Sequence, residues 1–232
     1  MSFFRSRLTC TNQPILKLPR EHGAVTVFSL ATLVSLFLSF GELTRLAWAL
    51  VLLWLMMVSA YDCKLLFRTT CLSILLMGLC GNLTGALFFL LVFFGIETIK
   101  SSHGVRDLWW REILGLSGAA LAPLLLNGLI LSNFQSTLIA CLAFLASVMT
   151  GISLIHARKP ELNVNPIMTA ILSLFLWIWL ARLNPILTMA CLAPFCLQVL
   201  WLFKAVSPSF KQLGIAQAAC MTTVSLAVLF LH

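Results

Sequence analysis

Polar residues that could bind or react cluster just before the first long apolar run, in the segment from Leu18 to Ala24. Pro19 suits the first position of a helix, where its missing N–H costs nothing. Glu21 then falls in the first turn, where the helix dipole favours an acid. Arg20 and His22 beside a helix N-terminus are also typical of an anion site. The segment therefore predicts either an ordinary helix start or one part of an anion-binding site.

Other charged residues lie close to the ends of predicted helices. Asp62 follows the second helix, where the dipole disfavours a carboxylate unless a cation such as Arg68 pairs with it. Glu112 falls early in the fifth helix, and we expect it to face the bundle rather than lipid. Arg158 closes the sixth helix. A local ion pair or a helix-end charge is the simpler interpretation of each. The alternative is one polar cavity, whose candidate binding residues are Arg20, Glu21, His22, Asp62, Arg68, Glu112 and Arg158.

The composition excludes a soluble domain. Hydrophobic residues make up 61% of the chain and charged residues 9%, and the mean hydropathy is +1.04. The apolar runs are long enough to cross about 30 Å of hydrocarbon, and they are continuous rather than alternating, which indicates helices. The predicted fold class is an all-α transmembrane bundle with helices at about 23–40, 45–61, 69–80, 83–98, 111–131, 135–157, 166–182, 185–204 and 211–231. No gap holds a soluble module, so we predict one transmembrane domain at 23–232 after a cytoplasmic or interfacial segment at 1–22.

The predicted number of helices is nine or eight, depending on whether the stretch 69–98 forms two helices or one. Segments of this length are short for full spans, and one tilted helix broken near Gly81 would give eight. However, Lys64 and Arg68 precede the stretch, and Lys100 and Arg106 follow it. Both basic pairs belong on the cytoplasmic side, which favours a hairpin and nine helices.

The net charge of +8 is distributed unevenly. With nine helices, every Lys and Arg except Arg45 and Arg182 falls on one side of the membrane. This positive-inside pattern predicts a multi-pass protein of the bacterial inner membrane with a cytoplasmic N-terminus. The basic charge is then explained by topology and by attraction to anionic lipid, and we expect no nucleic-acid partner. The eight cysteines form no CxxC pair and have no zinc spacing, so no metal site is predicted, and no cofactor is identified.

Two segments of the chain resemble the YwiC-like family of bacterial integral membrane proteins. Leu18 to Ala24 is similar to that family's Pro-Lys/Arg-Gln/Glu-His-Gly-Ala motif. Leu202 to Pro208, running into Leu213 to Ala216, is similar to its C-terminal segment. The family usually has Trp after the Gly-Ala and a Glu soon after Gly-Ile, where Val25 and Gln217 stand here. The resemblance implies a multi-pass membrane fold but no particular reaction.

The nine-helix, N-inside layout also resembles the UbiA-type intramembrane prenyltransferases. Those enzymes hold Mg²⁺ and a diphosphate with Asp-rich motifs on two cytoplasmic loops. This chain has no DxxxD motif: Asp62 is the sole Asp in the loop after the second helix, and Glu161 is the sole acid in the loop after the sixth. The resemblance therefore implies a lipid or isoprenoid ligand with missing or altered metal chemistry.

The function expected from these residues is binding of an anionic amphiphile head group at a cytoplasmic polar cavity. The protein would be either a UbiA-like transferase without the Asp-rich motifs or a non-catalytic relative, so its status as an enzyme is open. A small-molecule transporter is one alternative, although no acid or base lies mid-span, where coupling ions usually bind. A structural or assembly subunit of a membrane complex, with a protein partner, is the other.

Overall fold

The structure, a computed structural model, describes residues 20–38, 43–59, 63–79, 82–101, 108–131, 134–158, 166–204 and 208–231. Its regular structure over these ranges is entirely helical, which confirms the all-α prediction. The elements are α1 (Arg20–Leu38), α2 (Leu43–Ser59), α3 (Cys63–Leu79), α4 (Leu83–Ser101), α5 (Leu108–Leu131), α6 (Phe134–Arg158), α7 (Pro166–Leu183), α8 (Pro185–Lys204) and α9 (Phe210–Leu231).

Several helices begin earlier than the hydropathy pattern predicts, α1 and α5 by three residues and α3 by six. The first begins at Arg20 rather than 23, so that Glu21 and His22 lie inside its first turn. The third begins at Cys63 rather than 69 and reaches 17 residues. Arg68 lies on the exposed side of this helix. A long basic side chain can keep its charge at a polar boundary while its stem lies along the helix, so a basic residue need not end the helix.

The stretch 69–98 is a hairpin of two helices, α3 and α4. The rings of Phe67 and Phe93 lie 6.4 Å apart, centroid to centroid. Nearer the turn, a Cβ on Gly85 would lie 3.1 Å from the sulfur of Met77. Asn82 occupies the cap position, because its Oδ1 accepts a hydrogen bond of 2.7 Å from the Gly85 N–H. These contacts make α3 and α4 antiparallel, as the flanking basic pairs predict.

Helices α1 and α5 run parallel to each other. The Asn127 side-chain amide donates a hydrogen bond of 2.8 Å to the Ser35 carbonyl, and both residues lie close to the C-terminal ends of their helices. The two helices are among the most extensively packed pairs in the fold, so they overlap over much of their length. Across the next connection, a Cβ on Gly128 would lie 2.9 Å from the Thr137 methyl, which fixes α5 and α6 as an antiparallel pair.

The remaining helices continue this alternation. The Ser153 hydroxyl donates to the Pro166 carbonyl at 3.1 Å, which joins the end of α6 to the start of α7. Asn184 separates α7 from α8 and donates to the Leu231 carbonyl at the end of α9 at 3.1 Å. Consequently α1, α5, α7 and α9 begin at one end of the bundle, and α6 and α8 end there. We call this end the N-face.

Helix α6 forms the centre of the bundle. It contacts α5, α7, α8 and α9 and supplies more buried core residues than any other described helix. Small residues such as Ala140, Ala143 and Ala146 bring its backbone close to its neighbours, and Phe144 fills the space between them. A second buried cluster joins α2, α3, α4 and parts of α1 and α5.

Four helices of the described chain, α6 to α9, are long and apolar enough to cross a membrane. Their outer surfaces are also apolar. Helix α7, for example, exposes Ile171, Phe175, Ile178 and Trp179. Soluble monomers rarely expose apolar patches of this extent. The helical fold is therefore compatible with a multi-pass membrane protein.

Candidate functional site

Five of the candidate binding residues lie, by their backbone positions, at the N-face. Arg20, Glu21 and His22 form the first turn of α1. Glu112 lies in the second turn of α5, and Arg158 is the last residue of α6. The side chains of these five residues are outside the described part of the structure, so their mutual contacts stay a prediction.

The helix register brings two of these segments to the same level. The Asn127–Ser35 hydrogen bond fixes the register of α5 against α1. Counting back along the two parallel helices at about 1.5 Å per residue puts Arg20 level with Glu112. Counting from the α5–α6 contact puts His156 within about 5 Å of the same level. Three helix segments with polar residues therefore lie in one layer of the N-face.

His156 is a buried polar side chain of this layer. Only 1% of its surface is exposed, although it lies two residues from the end of α6. It shares its helix face with Ile152 and Met149, which are also buried. Imidazole has a hydrogen-bonding nitrogen on each side of the ring, so burying it at a helix end favours a role in binding or in fixing a neighbour. From the sequence, His156 is grouped with Arg158 at the end of the sixth helix, either as a helix-end charge cluster or as part of a basic pocket with Arg20 and His22, although it is not one of the seven candidate binding residues.

Two of the seven candidates are not part of this layer as the structure describes it. Arg68 is exposed on α3, whose principal neighbours are α2 and α4. The principal neighbours of α5, in contrast, are α1 and α6. Arg68 is therefore displaced sideways from the α1–α5–α6 layer. Asp62 lies outside the described residues. A single pocket that contains all seven candidates accordingly stays a prediction.

A hydrogen-bonded polar cluster inside the bundle joins α6 to α7. The hydroxyl groups of Thr150 and Ser173 lie 2.6 Å apart, and the Trp177 indole N–H donates to Thr150 Oγ1 at 2.9 Å. Thr150 also donates to the Ala146 carbonyl at 2.8 Å. Each of these groups has a partner within the protein, so the cluster acts as an interhelical clamp rather than as a ligand site.

Replacing Thr150 with valine is expected to destabilise the protein by about 1 kcal/mol, the usual scale for an interhelical hydrogen bond in a membrane. Valine has the shape of threonine but leaves the Trp177 indole N–H without its acceptor. Thr222→Val is the matched control, because the Thr222 hydroxyl is exposed and donates to the Ala218 carbonyl of its own helix. Reversible unfolding in mixed micelles measures both changes. Equal losses in the two variants would contradict the clamp.

No group of three or more His, Cys, Asp or Glu side chains within the described ranges is arranged to hold a metal ion. Cys71, Cys141, Cys191, Cys196 and Cys220 are free thiols. Comparison of the chain with protein-family models, with curated proteins and with solved structures gives no match. The function therefore has to be inferred from the residues and their placement.

Proposed function

We propose that the chain is a multi-pass protein of the bacterial inner membrane, with a cytoplasmic N-terminus, that binds the anionic head group of a lipid or isoprenoid at its N-face. One observation carries the proposal. The first turn of α1, with Arg20, Glu21 and His22, lies level with Glu112 of α5 in the register set by the Asn127–Ser35 hydrogen bond.

The ends of these helices favour an anion. The first N–H groups of a helix have no partner within it, and they carry the positive end of the helix dipole. Both α1 and α5 begin at the N-face, so two such ends point to the same layer. A guanidinium from Arg20 would pair with two phosphate or carboxylate oxygens, and His22 would add a further donor.

An amphiphile fits this layer better than a free anion. The N-face lies at the end of a bundle whose outer surface is apolar along α7 and α8, with Ile171, Phe175 and Leu197 exposed. A ligand with an anionic head and an apolar chain would place each part against matching protein surface. Each CH₂ of an acyl or isoprenoid chain gains about 0.8 kcal/mol on leaving water for the membrane, so the chain keeps such a ligand in the bilayer beside the N-face.

The carboxylates near the site indicate whether it only binds a ligand or also catalyses prenyl transfer. Glu21 and Glu112 would balance Arg20 in the absence of ligand. A prenyl transferase needs carboxylates that hold Mg²⁺ against a diphosphate, and the sequence has no Asp-rich motif to supply them. Non-catalytic binding is therefore the function we favour. Mg²⁺-dependent release of diphosphate from a prenyl diphosphate would instead establish a transferase.

Binding of farnesyl diphosphate and of phosphatidylglycerol to the purified protein in nanodiscs of zwitterionic lipid tests the proposal. We expect saturable binding of at least one of these two anions. Arg20→Gln and His22→Ala are each expected to weaken it about tenfold, because each removes a charged or polar hydrogen-bond donor to the head group.

Arg182→Gln is the matched control for Arg20→Gln. Arg182 is an exposed arginine in the last turn of α7, which lies at the opposite end of the bundle from the N-face. Its loss removes the same charge without touching the proposed site, so the affinity should stay unchanged. Equal affinity in wild type, Arg20→Gln and His22→Ala for both anions would refute the proposal, as would equal weakening in Arg182→Gln.

A further inference from the structure

An exposed arginine belongs to the outward face of α3. Arg68 shares this face with Leu72, Leu75 and Leu79, which follow it at helical spacings of four, seven and eleven residues and are exposed as well. The opposite side of the helix is buried and includes Met77. We call Arg68, Leu72, Leu75 and Leu79 the α3 stripe. It combines one positive charge with a continuous apolar surface.

The charge of Arg68 is not neutralised within the described part of the chain, where Arg68 forms no hydrogen bond or ion pair. A guanidinium keeps its charge at any ordinary pH. On a helix face that is otherwise apolar, such a charge is costly unless an anion or water solvates it. An anion for Arg68 therefore has to come from outside the described residues.

The α3 stripe begins near the N-face. Only residues 102–107 connect α4 to α5. They are too few to run the length of the 19-residue α4, so α4 ends, and α3 begins, on the side where α5 begins. Arg68 lies about 7.5 Å along α3 from Cys63. Because the Cα–Cβ bonds of a helix tilt toward its start, the flexible stem of Arg68 can carry the guanidinium toward the N-face boundary.

The length of the α3 stripe matches one leaflet of a bilayer. The distance from Arg68 to Leu79 is about 16 Å along the helix. Half of a hydrocarbon core of about 30 Å is close to this value. A phospholipid in the leaflet on the N-face side has its phosphate at one end of this distance and the ends of its acyl chains at the other. The stripe therefore offers a charge and an apolar surface at the spacing that one such lipid needs.

We therefore propose that the α3 stripe binds an anionic phospholipid of the leaflet on the N-face side. The phosphate pairs with the Arg68 guanidinium, which presents parallel N–H donors to two oxygens, and the acyl chains lie along Leu72, Leu75 and Leu79. A head group with net negative charge is favoured over a zwitterionic one, because no described residue neutralises Arg68. The stripe is displaced sideways from the α1–α5–α6 layer, and the proposal for the α3 stripe does not rest on the N-face site.

Photolabelling of the purified full-length protein in phosphatidylcholine nanodiscs tests this site. The probe is phosphatidylglycerol with a diazirine in one acyl chain, and phosphatidylcholine with the same chain is the comparison. Mass spectrometry of the peptides from residues 63–79 measures the label on α3. We expect about fivefold more labelling by phosphatidylglycerol, which is the effect expected of one basic residue at an anionic membrane surface.

Arg68→Gln is expected to bring the labelling ratio of the two lipids close to one, whereas Arg68→Lys keeps the charge and most of the preference. Both variants change an exposed side chain, so the fold should be retained. Arg182→Gln is the matched control. Arg182 is exposed at the opposite end of the bundle, and its loss should leave the ratio at α3 unchanged.

Equal labelling of α3 by the two lipids in the wild type would overturn the proposal, and it would favour the pairing of Arg68 with Asp62. An unchanged ratio in Arg68→Gln would overturn it as well. So would a loss of the preference in Arg20→Gln, because the lipid would then belong to the N-face site. If neither farnesyl diphosphate nor phosphatidylglycerol binds at the N-face, this test still stands, since its readout is confined to the peptides of α3.

Discussion

Replacing Gly151 with leucine is expected to lower the free energy of unfolding by about 3 kcal/mol, at the upper end of the usual cost of overpacking a core. Gly151 is buried on α6, the central helix, and a Cβ there would overlap the Gln217 amide. The backbones of α6 and α9 would have to separate, or the Gln217 side chain would have to leave the inward face. Reversible unfolding in mixed micelles, followed by tryptophan fluorescence, measures the loss.

Gly95→Leu is the control, because a Cβ on Gly95 of α4 would meet no atom within 4 Å. It should change the stability little. The contact itself is isolated by a double-mutant cycle of Gly151→Ala with Gln217→Ala. The alanine at 217 removes the overlapping amide, so the double variant should be more stable than the sum of the two single losses predicts. If the two free-energy losses add strictly, Gly151 of α6 and Gln217 of α9 are not in contact, and the register of these helices differs from the one described.

Much of the fold could be predicted from local features of the chain. Helix number follows from apolar run length, and the α3–α4 hairpin follows from the basic residues on both sides of 69–98. The helix start at Cys63 does not follow from hydropathy, because the charge of Arg68 predicts a loop before residue 69. A charged residue is compatible with a membrane helix when it lies on the exposed side near the helix end, as Arg68 does.

The candidate site was less predictable, because it depends on register. The sequence indicates that Arg20 and Glu112 lie near helix starts, but it gives no measure of their relative height. That height follows from the Asn127–Ser35 hydrogen bond, a contact between residues 92 positions apart. The burial of His156 could not be predicted either. A histidine beside an arginine at a helix end is a common sequence feature, and only the packing of α6 shows that this one is buried.

The packing of Gln198 and Gln217 was outside the reach of the sequence for a different reason. Gln198 and Gln217 each interrupt an apolar run, and the inward stripe of each helix can be drawn from residue spacing. Their partners, however, depend on helix packing: Gln198 Oε1 accepts a hydrogen bond from the Cys220 thiol of α9, and the Gln217 amide packs against Gly151 of α6. Neutral polar residues also give no charge signal.

Replacing Phe144 with alanine is expected to destabilise the protein by about 3 kcal/mol or more. Phe144 is fully buried in α6, in the core cluster that joins it to α5, α7, α8 and α9. In a membrane, helix association depends on close packing because lipid is as apolar as the core. The lost ring would leave a cavity, and its neighbours would lose their dispersion contacts. Reversible unfolding in mixed micelles gives the change.

Phe175→Ala supplies the matched comparison, since it deletes the same ring from a position that is 62% exposed on α7. If the outer surface of the bundle faces lipid, the Phe175 ring contacts acyl chains in both the folded state and the dissociated-helix state, and its loss should cost under about 1 kcal/mol. If that surface packed against other parts of the protein, the two deletions would cost similar amounts. The difference between the two variants therefore tests which surface of the helices is the core, independently of any ligand at the N-face.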